Sequence, residues 1–407
     1  MSVSSFPQAD WLRTLCKSQP IAAEMLARSP EEQRRLGYFH TLREICQQPS
    51  TWIRTGELMR QSAPALFQLI EGISSLTFSG SGSSDYAGDC VRMLLRKELD
   101  INTQAIPGGT LLTHGGDALA IGRPGLMVSL ARSGDSPESV GALARMLTIE
   151  PEIRHLVLTC NRQGQLATTF PGDPRVTAIT LDEATNDKSL VMTSSFTNLV
   201  LAARFLGLVG HPGRYQEICE HLSRIASELL HEHLGTLAEV ANAPFKRALF
   251  LGSGSRFAVA REAALKILEM TAGRVSTMCE SYLGLRHGPM SYVHQDTLLM
   301  CFLSSDPTLR AYETDLLREL DQKGLGLLKV VIGEDIPVEL IRGHDVAIEC
   351  QGLSRLGDED STVICVIAGQ LLAFFRCLGE GLRPDSPSED GVISRVVQTF
   401  ALYSPEN

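Results

Sequence analysis

The sequence predicts an α/β chain made of two tandem parallel-sheet domains behind a helical N-terminal segment. Two observations carry this. After residue 75, strand-like runs alternate with helix-like runs, the pattern of βαβ units in a parallel sheet. The run Arg247-Ala-Leu-Phe-Leu-Gly-Ser-Gly-Ser-Arg256 then restates Phe78-Ser-Gly-Ser-Gly-Ser83. Phe250, Gly252, Gly254 and Ser255 follow Phe78, Gly80, Gly82 and Ser83 at a constant offset of 172, as a tandem duplication requires. The length of 407 residues accommodates two or three domains. The divisions implied are a helical segment over 1–60, a first domain over 61–215, a second over 225–385 and a tail over 386–407, with the boundary between copies near 211–225.

Taken in order, the runs 11–16, 20–28, 31–47 and 51–71 show apolar spacing near 3.6 and predict helices. They carry no catalytic pattern and read as a lead-in that packs on a core or on a second subunit. Strands are predicted at 76–80, 126–131, 155–160 and 176–181, with helices over 86–98, up to 147, and over 196–209; 186–195 is polar and turn-like. The second copy repeats the strand and turn at 247–256 and adds strand-like runs at 297–304, 327–332 and 345–349. The most apolar run, 362–375, contains Gln370 and precedes Arg376; it is too short to span a bilayer and reads as a buried helix. Residues 382–388 are turn-rich and 392–403 close the chain.

Composition narrows the partners. Apolar residues make up 43% and charged residues 21%, an ordinary soluble balance, and the net charge is −10 without a basic run. That argues against nucleic acid or an anionic membrane as the main partner. Ten cysteines lie scattered, with no CxxC pair and no Cys/His metal spacing, which predicts free thiols in a reducing cytoplasm. No signal peptide is expected. His114, His211, His221, His231 and His233 have no partner motif and read as surface residues, and His294 as structural.

Two stretches carry the chemistry. The turn after the first strand is crowded by Ser81, Ser83 and Ser84. It is not a dinucleotide fingerprint, because Asp occupies position 85 and Phe position 257. The turn after 126–131 is also hydroxyl-rich, Ser133-Gly-Asp-Ser136, and also feeds a helix. Parallel strands that end side by side place both turns at the carboxyl edge of one sheet, where ligands bind. Helix N-termini with hydroxyls suit a phosphate monoester; the competing reading makes these serines N-caps only. In the second copy the turn reads as a plain strand-to-helix connection. The other stretch is 262–289. Glu262, Lys266 and Glu269 lie at i, i+4 and i+7 on one helical stripe, with Ala264, Leu265 and Leu268 off it and free to pack. His287 follows on a loop stiffened by Gly288-Pro289. A carboxylate on a helix and a nearby imidazole are the parts of proton transfer, although a Glu/Lys stripe alone is more often a solvated face.

Gly80-x-Gly-x-Ser84, Ala131-Arg-Ser-Gly-Asp-Ser136 and the duplication resemble sugar isomerase (SIS) domains. Glu262-x-x-x-Lys266-x-x-Glu269, Glu280 and Arg286-His-Gly-Pro289 resemble the isomerase half of glucosamine-6-phosphate synthase. Thr185-Asn-Asp-Lys188, Met192-Thr-Ser-Ser-Phe-Thr197, Leu283-Gly-Leu-Arg-His-Gly-Pro289 and Arg395-Val-Val-Gln398 are more similar still to the galactosamine-6-phosphate deaminase group, also called tagatose-6-phosphate ketose/aldose isomerases. The resemblance covers nearly everything after residue 50. It implies two tandem SIS domains and a cytoplasmic enzyme that converts galactosamine 6-phosphate to tagatose 6-phosphate and ammonia without cofactor or metal. Ser84, Ser133 and Ser136, with the backbone around Arg132, would hold the phosphate, and Ser83 would lie near the C1/C2 end. Glu269 would move a proton between C1 and C2. His287 would open the ring from the neighbouring subunit of an obligate homodimer. Arg395 stands where the synthase has a C-terminal lysine and would steady developing charge. Asp187 would touch the amine or a sugar hydroxyl, and Glu262 and Lys266 would form a supporting ion pair. Rival readings on the same scaffold are a glucosamine-6-phosphate deaminase, a fructosamine-6-phosphate deglycase and a non-enzymatic phosphosugar sensor. The acid/base residues and the lack of a DNA-binding element favour an enzyme. With Ser at position 2, no glutaminase nucleophile is expected.

Overall fold

The structure, a computed structural model, describes residues 10–397 and 400–403. Gln398 of the Arg395-Val-Val-Gln398 marker, residues 1–9 of the lead-in and residues 404–407 of the tail lie outside the described residues.

Six helices precede the first strand among the described residues: α1 Asp10–Ser18, α2 Pro20–Ala27, α3 Pro30–Leu36, α4 Thr41–Cys46, α5 Gln48–Gln61 and α6 Ala63–Ile70. Two of the four predicted helices are therefore split. Gly37 ends α3 in the left-handed conformation, φ 76°, which dismantles the expected 31–47 helix. Pro64, in the first turn of α6, breaks the 51–71 run, because proline removes a main-chain donor and clashes with the preceding turn. The lead-in packs on the core: Trp52 is fully buried, and its indole N–H donates to Thr197 Oγ1 at 3.0 Å.

The first sheet comprises β1 Ser75–Gly80, β2 Asn102–Pro107, β3 Gly125–Ala131, β4 Ile153–Thr159 and β5 Val176–Thr180, all parallel, in the order β2-β1-β3-β4-β5. The second comprises β6 Arg247–Leu251, β7 Ser276–Glu280, β8 Thr297–Phe302, β9 Leu328–Gly333 and β10 Val346–Glu349, in the matching order β7-β6-β8-β9-β10. Register repeats as well. Ser75 lies opposite Gly125, and Arg247 opposite Thr297. Both copies thus have the doubly wound 2-1-3-4-5 topology. The prediction omitted β2 and β7. Each is an edge strand, half exposed and without the continuous burial of β1, β3 and β8.

The main helices of the first copy are α7 Ser83–Leu99, α8 Gly108–His114, α9 Pro137–Ile149, α10 Gln165–Thr168 and α11 Ser194–Arg204. The 30-residue α12, Pro212–Ala241, connects the copies. The second copy carries α13 Ser255–Met270, α14 Pro307–Gln322, α15 Leu353–Leu356 and α16 Thr362–Gly379. One apolar cluster runs through both, joining Phe78 and Leu126 to Phe250, Leu298 and the interior of α16. At 18 residues α16 is longer than the apolar run predicted; it is long and apolar enough to cross a membrane, but 83% of that window is buried inside the fold. Its one mid-helix polar side chain, Gln370, is satisfied there by Gln48 at 2.7 Å and by the Thr193 carbonyl at 3.1 Å.

Candidate active site

The chain leaves β1 toward β2 on one side, and β3 toward β4 on the other. The turns that follow β1 and β3 therefore flank the point where the winding reverses, the usual ligand crevice of such a sheet. Gly80 makes the first turn possible: a Cβ there would lie 2.5 Å from the main chain of Ser84. Helix α7 then begins at Ser83, and α9 begins just beyond Ser136. Together the two turns present helix N-termini and a group of hydroxyls to one space.

That space is a cavity of about 560 Å³, within the range that holds small ligands. Ser81, Ser83, Ser84, Arg132, Ser133 and Ser136 line it from the first copy, and Glu269 lines it from α13 of the second. The serine turns and the glutamate thus meet across one enclosure. Leu190 and Met192, from the loop before α11, and the tail over 391–397 complete the wall.

Glu269 belongs to a chain of buried charges. Lys266 Nζ lies 2.5 Å from Glu269 Oε2 and 3.3 Å from Glu262 Oε1, and donates to Ser83 Oγ at 3.1 Å. Glu262 and Lys266 are fully buried, so this face is not the solvated stripe that helix statistics favour. It is Leu268, expected to pack, that is exposed. Burial raises the Glu262 carboxyl to about 7 against the opposing pull of Lys266. Burial also opposes the charge on Lys266, but the two flanking carboxylates outweigh it and raise the ammonium above the ordinary lysine value. Lys266 therefore stays charged and fixes Glu269 at the cavity wall.

The same cavity wall also carries two arginines, Arg132 and Arg395. The Arg132 guanidinium is clamped by main-chain carbonyls, donating to Leu190 at 2.8 Å, to Ser189 at 3.4 Å and to Arg395. Burial, and next the Arg395 charge, lower its pKa, yet an arginine remains protonated at any ordinary pH. Arg395 in turn donates to the Asp187 carbonyl and to Asn186 Oδ1, each at 2.7 Å. The 186–192 loop that receives both arginines is itself pinned by Glu44, which accepts from the Lys188 amide at 2.5 Å and from the Ser189 hydroxyl. Burial, and then the neighbouring Asp187 charge, push Glu44 up to about 8.

Two expected site residues lie elsewhere. The Asp187 carboxylate is buried and takes no part in the cavity wall. Its Oδ2 accepts from the amides of Thr193 and Ser195 at 2.8 and 2.9 Å and from the Ser195 hydroxyl at 2.5 Å, so it caps α11, and its carbonyl supports Arg395. His287 is exposed at the end of a short 3₁₀ turn, outside the cavity lining of its own chain. The sequence reading missed Glu138, Ser139 and the wall formed by 391–394. Glu138 was findable, since it stands two residues after Ser136 in the first turn of α9. The tail segment has no periodic signal to read.

Fold and site together define the class: a two-domain SIS protein with a phosphosugar-sized cavity between serine turns and a glutamate. No protein-family profile matches the chain. It is 32% identical over 382 residues to the D-galactosamine-6-phosphate deaminase AgaS of a Shewanella species, covering 92% of this chain and 94% of that protein. Among solved structures it is similar to tagatose-6-phosphate ketose/aldose isomerase from Escherichia coli, with a TM-score of 0.79, 31% identity, and coverage of 87% and 95% of the two chains. The C-terminal domain of glucosamine-fructose-6-phosphate aminotransferase from Francisella tularensis shares the fold at a TM-score of 0.72 and 18% identity, over 85% and 98%. The chain belongs to the D-galactosamine-6-phosphate deaminase AgaS family.

Proposed function

We propose that this protein converts galactosamine 6-phosphate and water to tagatose 6-phosphate and ammonia. The observation that carries the reading is the placement of Glu269 on the wall of the same cavity as Ser84, Ser133 and Ser136. The phosphate rests on those three hydroxyls and the helix N-termini behind them, and the sugar extends toward α13. With the ring open, Glu269 takes the proton from C2, giving an enolamine, and returns it to C1. The resulting C2 imine adds water and releases ammonia. Every step is proton transfer or hydrolysis, and one carboxylate within reach of both carbons suffices for the shuttle. Arg395, at the cavity wall, steadies the charge that develops on oxygen. Glu262 and Lys266 hold Glu269 in place.

Ring opening falls to His287. Its exposed position outside its own cavity supports a homodimer in which each subunit lends this imidazole to the other, working in the cytoplasm. The test is ammonia release from galactosamine 6-phosphate, glucosamine 6-phosphate and fructosamine 6-phosphate, assayed side by side. Turnover of galactosamine 6-phosphate at the highest kcat/KM is expected. Tight binding of all three with no ammonia and no deuterium uptake at C2 would reject an enzyme and leave a sensor.

A further inference from the structure

The second copy holds a turn pair built on the plan of the first. Gly82 and Gly254 adopt one conformation, φ 58° and ψ −127° against φ 55° and ψ −128°, and the strands beside them keep one register. By that register Arg256 occupies the place of Ser84, and Ser305 the place of Ser133. The next helix also begins with a proline, Pro307 in α14 as Pro137 in α9.

What lies on the turns differs. In the first copy the serines line an open cavity. In the second a carboxylate from the loop before α16 is already there. Asp358 Oδ1 accepts from the Ser305 amide at 2.7 Å and lies 3.0 Å from Arg256 Nη2, and its Oδ2 accepts from the Ser304 hydroxyl. Glu313 takes the Ser304 amide at 2.7 Å. Arg256 is fully buried, and a guanidinium in that position needs an anion beside it. The turns also hold more unpaired donors than acceptors: Ser255 Oγ, Arg256 Nε and Ser305 Oγ, against the one acceptor Glu313 Oε1, are buried without a hydrogen-bond partner among the described residues. A tetrahedral oxyanion, with more acceptor oxygens, matches that surplus.

We propose that this second turn pair is an anion site filled from within, where the Asp358 carboxylate stands in for a phosphate, and that it accepts a free tetrahedral oxyanion once that carboxylate is removed. The inference rests on reading the first turn pair as the phosphate cradle. Titration calorimetry of the full chain with inorganic phosphate, at ionic strength matched with chloride, compares wild type with Asp358→Ala. One phosphate per chain is expected on the wild type and two on the variant, with phosphate raising the variant's Tm more than the wild type's. Equal stoichiometry and equal Tm shifts would overturn the proposal and leave a plain buried ion pair. Should the alanine variant not fold, Asp358→Ser, short enough to vacate the turns while keeping a hydroxyl acceptor near the Ser305 amide, carries the same Tm comparison. A wild type that binds no phosphate would reject the first cradle, while the difference of one between variant and wild type still decides the second.

Discussion

The two copies share a backbone and divide the chemistry. Helix α13 carries Glu262, Lys266 and Glu269, whereas the corresponding places of α7 hold Cys90, Leu94 and Lys97. The turns divide the other way: Ser84 and Ser133 face a cavity, while Arg256 and Ser305 are engaged with Asp358 or sealed. On the proposed reading each copy supplies half of the site, the turns of the first facing the helix of the second across one cavity. The pairing is rigid because α7 and α13 lie against each other, with Arg261 bridging from α13 to Asp89 and, at 3.6 Å, to Asp85 on α7. A duplicated fold offers two equivalent crevices; charge, more than backbone shape, decides which one stays open.

The sharpest way to break this division is at Glu269. Glu269→Gln should lower kcat by about 10²–10⁴-fold, the usual worth of a general base, with phosphosugar affinity largely kept; steady-state kinetics with a binding titration checks both. Next comes Lys266. Lys266→Met leaves two carboxylates buried without their cation, so kcat should fall more than about tenfold at little change in KM, and Lys266→Arg should recover part of it. Smaller effects should separate the turns. Ser84→Ala or Ser133→Ala removes one hydrogen bond to the phosphate and should raise KM roughly tenfold, from about 1–1.5 kcal/mol, whereas Ser305→Ala should leave KM unchanged. The smallest concerns pH. Burial holds the Glu313 carboxyl at about 7, above its ordinary 4.5. The native chain then keeps a proton that the unfolded chain has lost, so the stability Glu313 contributes is full below pH 4.5 and disappears as pH rises through 7. Thermal unfolding of Glu313→Gln across that window should show a flatter decline than the wild type, with no change in KM.

Much of this was legible in the sequence because the informative residues sit at places with local rules. The turns after β1 and β3 announce themselves by serines between an apolar strand and a helix, and the offset of 172 between Phe78 and Phe250 exposes the duplication. The edge strands β2, Asn-Thr-Gln-Ala-Ile-Pro, and β7, Ser-Thr-Met-Cys-Glu, were hidden because polar residues interrupt them and they lack the β-branched alternation of β5, the other edge of the first sheet. Gly37 and Pro64 mark helix ends that apolar spacing runs straight through. The burial of Glu262 and Lys266 could not be read from their spacing, which a solvated stripe shares; it follows from α13 lying between α7 and α16. Asp187 was placed in the site by resemblance, yet its carboxylate serves the N-terminus of α11, and only its carbonyl reaches Arg395. The tail wall at 391–394 is irregular chain held by tertiary contacts and has no pattern of its own.

The division of labour is tested most directly by locating galactosamine 6-phosphate bound to the Glu269→Gln variant. The phosphate should lie on Ser84, Ser133 and Ser136, with C1 and C2 within hydrogen-bond reach of the residue 269 side chain. A phosphate bound away from those serines, or a sugar whose C1 and C2 point away from α13, would contradict it.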